Sequence, residues 1–257
     1  MAPKDVKAVK RPSAKAKSLT KAPRKRAAAV RRRLAPEERR RQIVAAAKSL
    51  FLDDGIDHVS MRKIARKVGI TQAAIYQHFE NKEAILYVII EDFFSDVIAA
   101  FEVAVSTEAD PLRRLRRAMR TYVDFGLSRP EEYRLVFMTP MSGLVRAGVA
   151  LPRTEEARLK PSKGSLAFGM LDARVTEVIG AGLARDLDAD LVSEAIWAAG
   201  HGIVSLLITH EHFPWTDREA LIDLQIDLLM EGLLPAGSPA RGENRGGGSS
   251  CPFGGPR

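Results

Sequence analysis

Residues 70–82 read ITQAAIYQHFENK, and within them Thr71, Gln72, Tyr76, Gln77, His78 and Lys82 set six hydrogen-bonding side chains among only three large apolar residues. The chemistry these types offer is recognition, not bond-making. A glutamine amide can give and take a hydrogen bond on one base edge, the bidentate adenine contact being its natural use, and Ala73 beside it can lie against a thymine methyl. Hydroxyls and an ammonium group suit phosphate oxygens, which position a protein on a duplex without reading it. The start of a helix adds free backbone N–H groups that favour the same anions. A buried helix would be greasier, and an idle surface helix would carry more Glu and Lys.

Such a set must be presented by a short helix that something else holds down. Thr71 is an N-cap type, and Ile75 and Phe79, at i and i+4, supply a packed side. Asn81 then caps a longer helix, KEAILYVIIEDFFSDVIAAFEVAV. Upstream, SMRKIARKVGI begins with Ser60 as a cap and turns Ile64, Ala65 and Val68 inward. Two short helices near 60–67 and 71–78, separated by VGI, have the spacing of a helix-turn-helix, in which a glycine lets the chain turn sharply. In that arrangement the first helix braces on the DNA backbone, where Ser60 touches it, and the second enters the major groove. Gln77 and His78 then fall at the groove edge, and Lys82 adds a point charge beside the next helix. Before both, PEERRRQIVAAAKSLFLDDG puts Ile43, Ala46, Ala47, Leu50 and Phe51 on one helical face that Gly55 ends.

Charge supports a polyanionic partner, but only at one end. Residues 1–41 hold 16 Lys and Arg against three acids, whereas the remaining chain is net −5. Nucleic acid is the leading candidate for such a partner. Residues 1–33 have no aromatic residue and few large apolar ones, the composition of a disordered basic arm. At 46% hydrophobic and 28% charged residues, the rest can build an ordinary soluble core. No window offers the roughly 18 uninterrupted apolar residues of a membrane span, and the basic N-terminus lacks the apolar stretch of a secretory signal. The single cysteine, Cys251, has no intrachain partner, so a reducing, cytoplasmic setting is expected.

Beyond the fourth helix the punctuation stays helical. Asp110-Pro111 opens a helix to about Leu127, Pro130 opens PEEYRLVFM, and further helices are expected near 163–184, 189–210 and 217–234. A loop with Gly143, Gly148, Pro152 and Pro161 interrupts them. With no alternating β-branched runs, the fold class is all-α. The expected organisation is the arm at 1–33, a three-helix helix-turn-helix domain at 34–82, a larger helical domain for ligand binding and dimerisation at 83–235, and a flexible tail at 236–257.

The string SMRKIARKVGITQAAIYQHFENKEAIL, residues 60–86, resembles the DNA-binding signature of the TetR family of bacterial transcriptional repressors. That signature has a capping Ser or Thr, an IA…GV core, a short recognition helix, Y-x-x-F and then Lys. The resemblance covers residues 37–86 and implies that Tyr76 reaches a phosphate. Ala73 stands where the family often has Gly, and Ala74 where Thr or Ser is common, so a hydroxyl contact at 74 is lost and no operator sequence carries over. RPEEYRLVFM at 129–138 and IWAAGHGIVSLL at 196–207 resemble segments of a subgroup whose regulatory domain carries a Trp…His-Gly motif. By analogy, that domain dimerises and holds a small-molecule effector.

For the effector pocket the aromatic and Met-rich residues are the candidates: Tyr122, Phe125, Tyr133, Phe137, Phe168, Trp197 and His201, with Met119, Met138 and Met170 beside them. For the dimer, Val192, Ala195, Ile196, Ala199, Ile203 and Leu206 form one stripe, and the last helix carries leucines on more than one face, which calls for a second partner. The RRLRR run at 113–117 reads as a solvated helix face. His210 and His212 are two apart and share no helix face, so no metal and no cofactor are expected. No nucleophile, zinc, phosphate-loop or dinucleotide motif is present, which argues against an enzyme. The expected function is a dimeric repressor that a small molecule releases from a palindromic operator. The alternative is an architectural protein that coats DNA through the basic arm with little sequence preference.

Overall fold

The computed structural model describes residues 35–139, 161–236 and 238. The basic arm, the loop containing Gly143, Gly148 and Pro152, and nearly all of the tail lie outside the described residues.

Helix α1 spans Pro36–Asp54, with Glu37 and Glu38 in its first turn where they complement the helix dipole. Its apolar face buries Ile43, Ala47, Leu50 and Phe51. A 3-10 turn at Ile56–His58 leads to α2, Met61–Val68, and α3, Gln72–Tyr76. Five residues are far too few for a helix stable by itself. Tertiary packing holds α3 instead, through Ile75 (0% exposed) and Phe79 (3% exposed), each worth about 1.5–3 kcal/mol of apolar burial.

The turn between α2 and α3 depends on Gly69, at φ 75°, a left-handed conformation that side chains resist. Its N–H bonds back to Ala65 and Arg66, and the N–H of Ile70 reaches the Ala65 carbonyl at 3.0 Å, closing the last turn of α2.

Helix α4, Lys82–Val105, is capped by Asn81, whose Oδ1 accepts from the Ala84 N–H at 2.7 Å. At 1.5 Å per residue, its 24 residues run about 36 Å from the head into the larger domain. That domain adds α5 (Pro111–Ser128), α6 (Pro130–Tyr133), a π-helical turn at Arg134–Met138, α7 (Lys163–Gly180), α8 (Ala189–Thr209) and α9 (Arg218–Leu233). Every element among the described residues is helical. PEEYRLVFM therefore departs from a simple α-helix, because it widens after Tyr133 into a π turn.

Two surface readings change. The RRLRR run is no free solvated face: Leu115 is fully buried, Arg114 pairs with Glu177 of α7 at 3.0 Å, Arg116 pairs with Asp227 of α9, and Arg117 donates to the Ala104 carbonyl. Arg120 follows with Asp124, Glu219 and Asp223. The reason is position: α5 lies between α7 and α9, so its cations meet acids on both sides. Pairs this exposed are worth about 0–1 kcal/mol each and set register more than stability.

The expected stripe on α8 also divides. Ile196 and Ile203 face the core with Ser193, Val204, Leu207 and Ile208, while Ala195 and Leu206 point outward beside Leu191. By length and composition α8 is apolar enough to cross a membrane. Here its apolar surface is shared between a core face and an exposed face. On the neighbouring α9, Leu224 and Leu228 are likewise exposed.

Candidate nucleic-acid interface and interior cavity

The head presents the residues that the spacing singled out. Thr71 caps α3, its hydroxyl oxygen accepting from the Ala74 N–H at 3.2 Å, and Ser60 does the same for Lys63 at 3.3 Å. Capping uses an oxygen lone pair and leaves each O–H free to donate to a phosphate. Gln72, Ala73, Tyr76 and Gln77 are exposed, and the polar ends of Gln72, Tyr76 and Gln77 have no partner among the described residues. Ala74, where the hydroxyl contact is lost, is half-buried.

Two positions differ from expectation. The α-helical run stops at Tyr76, not 78: Gln77 is its C-cap, and His78 is half-buried in the turn that follows, its carbonyl accepting from Arg40 at 2.9 Å. Arg40 also covers the Phe79 ring at 4.0 Å, so α1 clamps the end of the recognition element. Lys82 donates to the Ile56 carbonyl at 2.8 Å and ties α4 to the 3-10 turn. That tie leaves two of its three N–H groups for another acceptor.

Sequence spacing overlooked two cations. On α2, Lys63 pairs with Asp54 at 3.0 Å and Lys67 donates to Ser49 at 2.7 Å. Arg62 and Arg66, exposed and four residues apart on one face, have no partner among the described residues. Only knowing which cations α1 engages separates the two kinds, although the i, i+4 arginine pair was itself readable.

In the larger domain a cavity of about 90 Å³ opens between α4, α5, the π turn, α7, α8 and α9. Four of the seven expected residues line it: Tyr122, Phe137, Phe168 and Trp197, joined by Met119 and Met170. Phe125, Tyr133 and His201 do not. Phe125 instead packs edge-on against Phe93 under the Arg129 guanidinium, one turn beyond the cavity-lining residues of α5. Tyr133 and His201 lie one layer behind, in a hydrogen-bonded chain. Tyr122 and Tyr133 hydroxyls meet at 2.9 Å, Tyr133 reaches His201 Nδ1 at 2.7 Å, and His201 Nε2 is 3.4 Å from the Ser205 hydroxyl. Missing from expectation was the whole α4 wall, Phe94, Val97, Phe101 and Val105, whose helical spacing marks an apolar face but not a cavity lining.

Burial sets the protonation of the chain. It pushes Tyr122 up to about 12 and Tyr133 higher still, the latter helped by Tyr122. It lowers His201. Burial thus favours the neutral imidazole, whose Nδ1 shares a hydrogen bond with the Tyr133 hydroxyl. Because its folded pKa is depressed, the unfolded chain binds the proton more readily. The contribution is full above the unfolded value of about 6.5 and is lost as pH falls below it. A melting series from about pH 7.5 to 5 should accordingly show a steeper fall for the native chain than for His201→Gln; equal slopes would show that His201 does not titrate on unfolding.

Comparison with known proteins follows the same division. The family described as "Bacterial regulatory proteins, tetR family" matches residues 43–88, and "Tetracyclin repressor-like, C-terminal domain" matches 115–229, more than half of the chain between them. The HTH-type transcriptional activator FasR of Mycolicibacterium smegmatis is 30% identical over 92 residues, 36% of this chain and 42% of that protein. The chain thus matches well under half of that relative's length. The nucleoid occlusion factor SlmA of Cronobacter sakazakii is 26% identical over 181 residues, 68% of this chain and 85% of that protein. Among solved structures, a Rhodococcus protein of unknown function has a TM-score of 0.62 at 26% identity, covering 77% of this chain and 96% of its own. A TetR family regulator from Shewanella has 0.59 at 16% identity, covering 77% and 98%.

Proposed function

Because the chain belongs to the TetR family of DNA-binding transcriptional regulators, we propose that it is a dimeric, cytoplasmic repressor, released from a palindromic operator when a small molecule fills its interior cavity. The observation that carries this reading is the construction of α4. Its first turn follows directly on the recognition element, capped by Asn81 and tied by Lys82 to the 3-10 turn ahead of α2, and its second half forms a wall of the cavity with Phe94, Val97, Phe101 and Val105. One helix thus bears on both sites, and an occupant that shifts it moves the head.

Ser60, Thr71, Tyr76, Lys82, Arg62 and Arg66 hold phosphates in this reading, while Gln72 and Ala73 read bases, with Gln77 and His78 at the groove edge. A second copy of the chain covers the exposed apolar face of α8 and α9, where Leu191, Leu206, Leu224 and Leu228 lie open. Two-fold pairing sets the recognition helices about 34–36 Å apart, one turn of DNA, so a modest change in separation abolishes binding.

Selection of bound duplexes from a random pool tests the reading: an inverted repeat with one-turn half-site spacing is expected. A pool that yields no enriched sequence would sink it.

A second reading, a DNA-coating protein with little sequence preference, is favoured by the charge of residues 1–41 and by likeness to a protein named for nucleoid occlusion. Deleting residues 1–33 separates the two. For a repressor the deletion lowers affinity for operator and random DNA alike and flattens the salt dependence by about 0.9 per lost phosphate contact, while the specificity ratio holds. Loss of nearly all DNA binding, with no operator preference left, would favour the coating protein.

A further inference from the structure

We propose that the cavity takes a single-chain anionic amphiphile, an aliphatic chain ending in one carboxylate or phosphate, with the charged end at Arg174. The proposal rests on the reading that an effector occupies this cavity.

The walls determine the shape. Lining residues on α4 run from Phe94 to Val105 and on α7 from Gly164 to Arg174, about 16 and 15 Å at 1.5 Å per residue. The two helices run the same way: at one end the Lys163 N–H meets Glu91 at 3.1 Å, and at the other Arg117 reaches Ala104 while Arg114 reaches Glu177. The space is therefore a slot along two helices, lined almost wholly by carbon.

Its few polar groups are nearly all committed. The Tyr122 hydroxyl is bonded to Tyr133, and the Gln225 amide N–H donates to the Ala199 carbonyl at 2.9 Å. No Asp or Glu is among the lining residues, so a cationic ligand would find no counter-charge. A sugar or nucleotide would leave its polar groups unmatched.

Arg174 is different. Its only acid partner among the described residues is Glu177, at 3.8 Å, beyond hydrogen-bonding range. The same carboxylate is held at 3.0 Å by Arg114, whose Nε is buried without an acceptor. Two guanidinium groups thus share one carboxylate at one end of an apolar slot. The protein leaves a positive charge there, and a ligand anion would complete it.

The test uses the full chain with Trp215→Phe, so that Trp197, in the cavity wall, is the only indole reporting. Dodecanoate, dodecyl phosphate and methyl dodecanoate are titrated by calorimetry and by Trp197 fluorescence without DNA. One or both anions should bind at least about tenfold tighter than the ester. Arg174→Gln should erase that gap while apolar binding persists. Ala167→Phe, or Leu171→Phe if the first melts abnormally, should block all three. Equal affinity for ester and anions, or a gap that survives Arg174→Gln, overturns the proposal; so does failure of both anions to bind. If an anion binds but leaves operator occupancy unchanged, the release mechanism fails and the ligand assignment stands. If another compound releases the operator while neither anion binds, the ligand assignment fails and the release mechanism stands.

Discussion

Gln72→Ala should weaken binding to the selected operator roughly a hundredfold, while affinity for random DNA changes by less than about twofold. A bidentate amide–base pair is worth about 1–3 kcal/mol of discrimination, and a two-fold dimer makes the contact twice. Gln72 is exposed, with no partner among the described residues, and stands on a helix pinned by Ile75 and Phe79, so its truncation costs the fold almost nothing. Tyr76→Phe is the matched opposite. Tyr76 is 50% exposed, its hydroxyl without a partner among the described residues, and losing it should weaken operator and random DNA together by a few-fold. Arg66→Ala should do the same and also flatten the salt dependence, which an uncharged tyrosine cannot do. Fluorescence anisotropy on both duplexes across a salt series reads all three. Should Gln72→Ala and Tyr76→Phe weaken all DNA equally, the division between reading and holding is wrong.

Gly126→Val should cost about 3 kcal/mol and lower the melting temperature by roughly 6–12 °C in a domain of this size. A Cβ at Gly126 would sit 2.7 Å from Val204 Cγ1 and 3.0 Å from the Tyr133 ring. Both neighbours are buried, Tyr133 at 1% and Val204 at 0% exposed, so neither can swing aside into solvent. Tyr133 is also fixed at its hydroxyl, which bonds to both Tyr122 and His201. Displacing its ring breaks that chain and leaves buried polar groups unmatched. Gly126→Ala, with one methyl, should fall between the native chain and the valine variant. Calorimetric melting of the series would show the gradation. Unchanged melting for both variants would mean that the approach of α5 to α8 is not tight.

The head was legible because its signals are local. Ser60, Thr71 and Asn81 cap the helices that they were expected to cap, Gly69 makes the turn, and Ile75 and Phe79 are buried. Each of these follows from a side chain and its neighbours within four positions. Positions 77 and 78 were misplaced because nothing in their own chemistry ends the helix. Arg40, thirty-eight residues upstream, takes the His78 carbonyl instead.

The larger domain was legible as helices but not as a site. Aromatic and methionine residues could be picked out by type, yet Phe125, Tyr133 and His201 belong to the core and to a hydrogen-bonded chain, while α4 provides a wall from residues as ordinary as Val97 and Val105. A cavity is where side chains from several helices fail to meet, and no single helix encodes that. The same limit applies to charge: five neighbouring positions hold four arginines, but which of them are paired depends on acids 63 and 111 residues away.

The sequence by itself determined the helices, the helix-turn-helix and most of the polar side chains that the short second helix leaves exposed, because capping, spacing and periodicity act over a few residues. Only the tertiary structure decided which arginines are unpaired among the described residues, where the cavity lies and that α4 runs from the head to the cavity wall. Those properties are set by contacts between segments distant in the chain, whose packing no local pattern records.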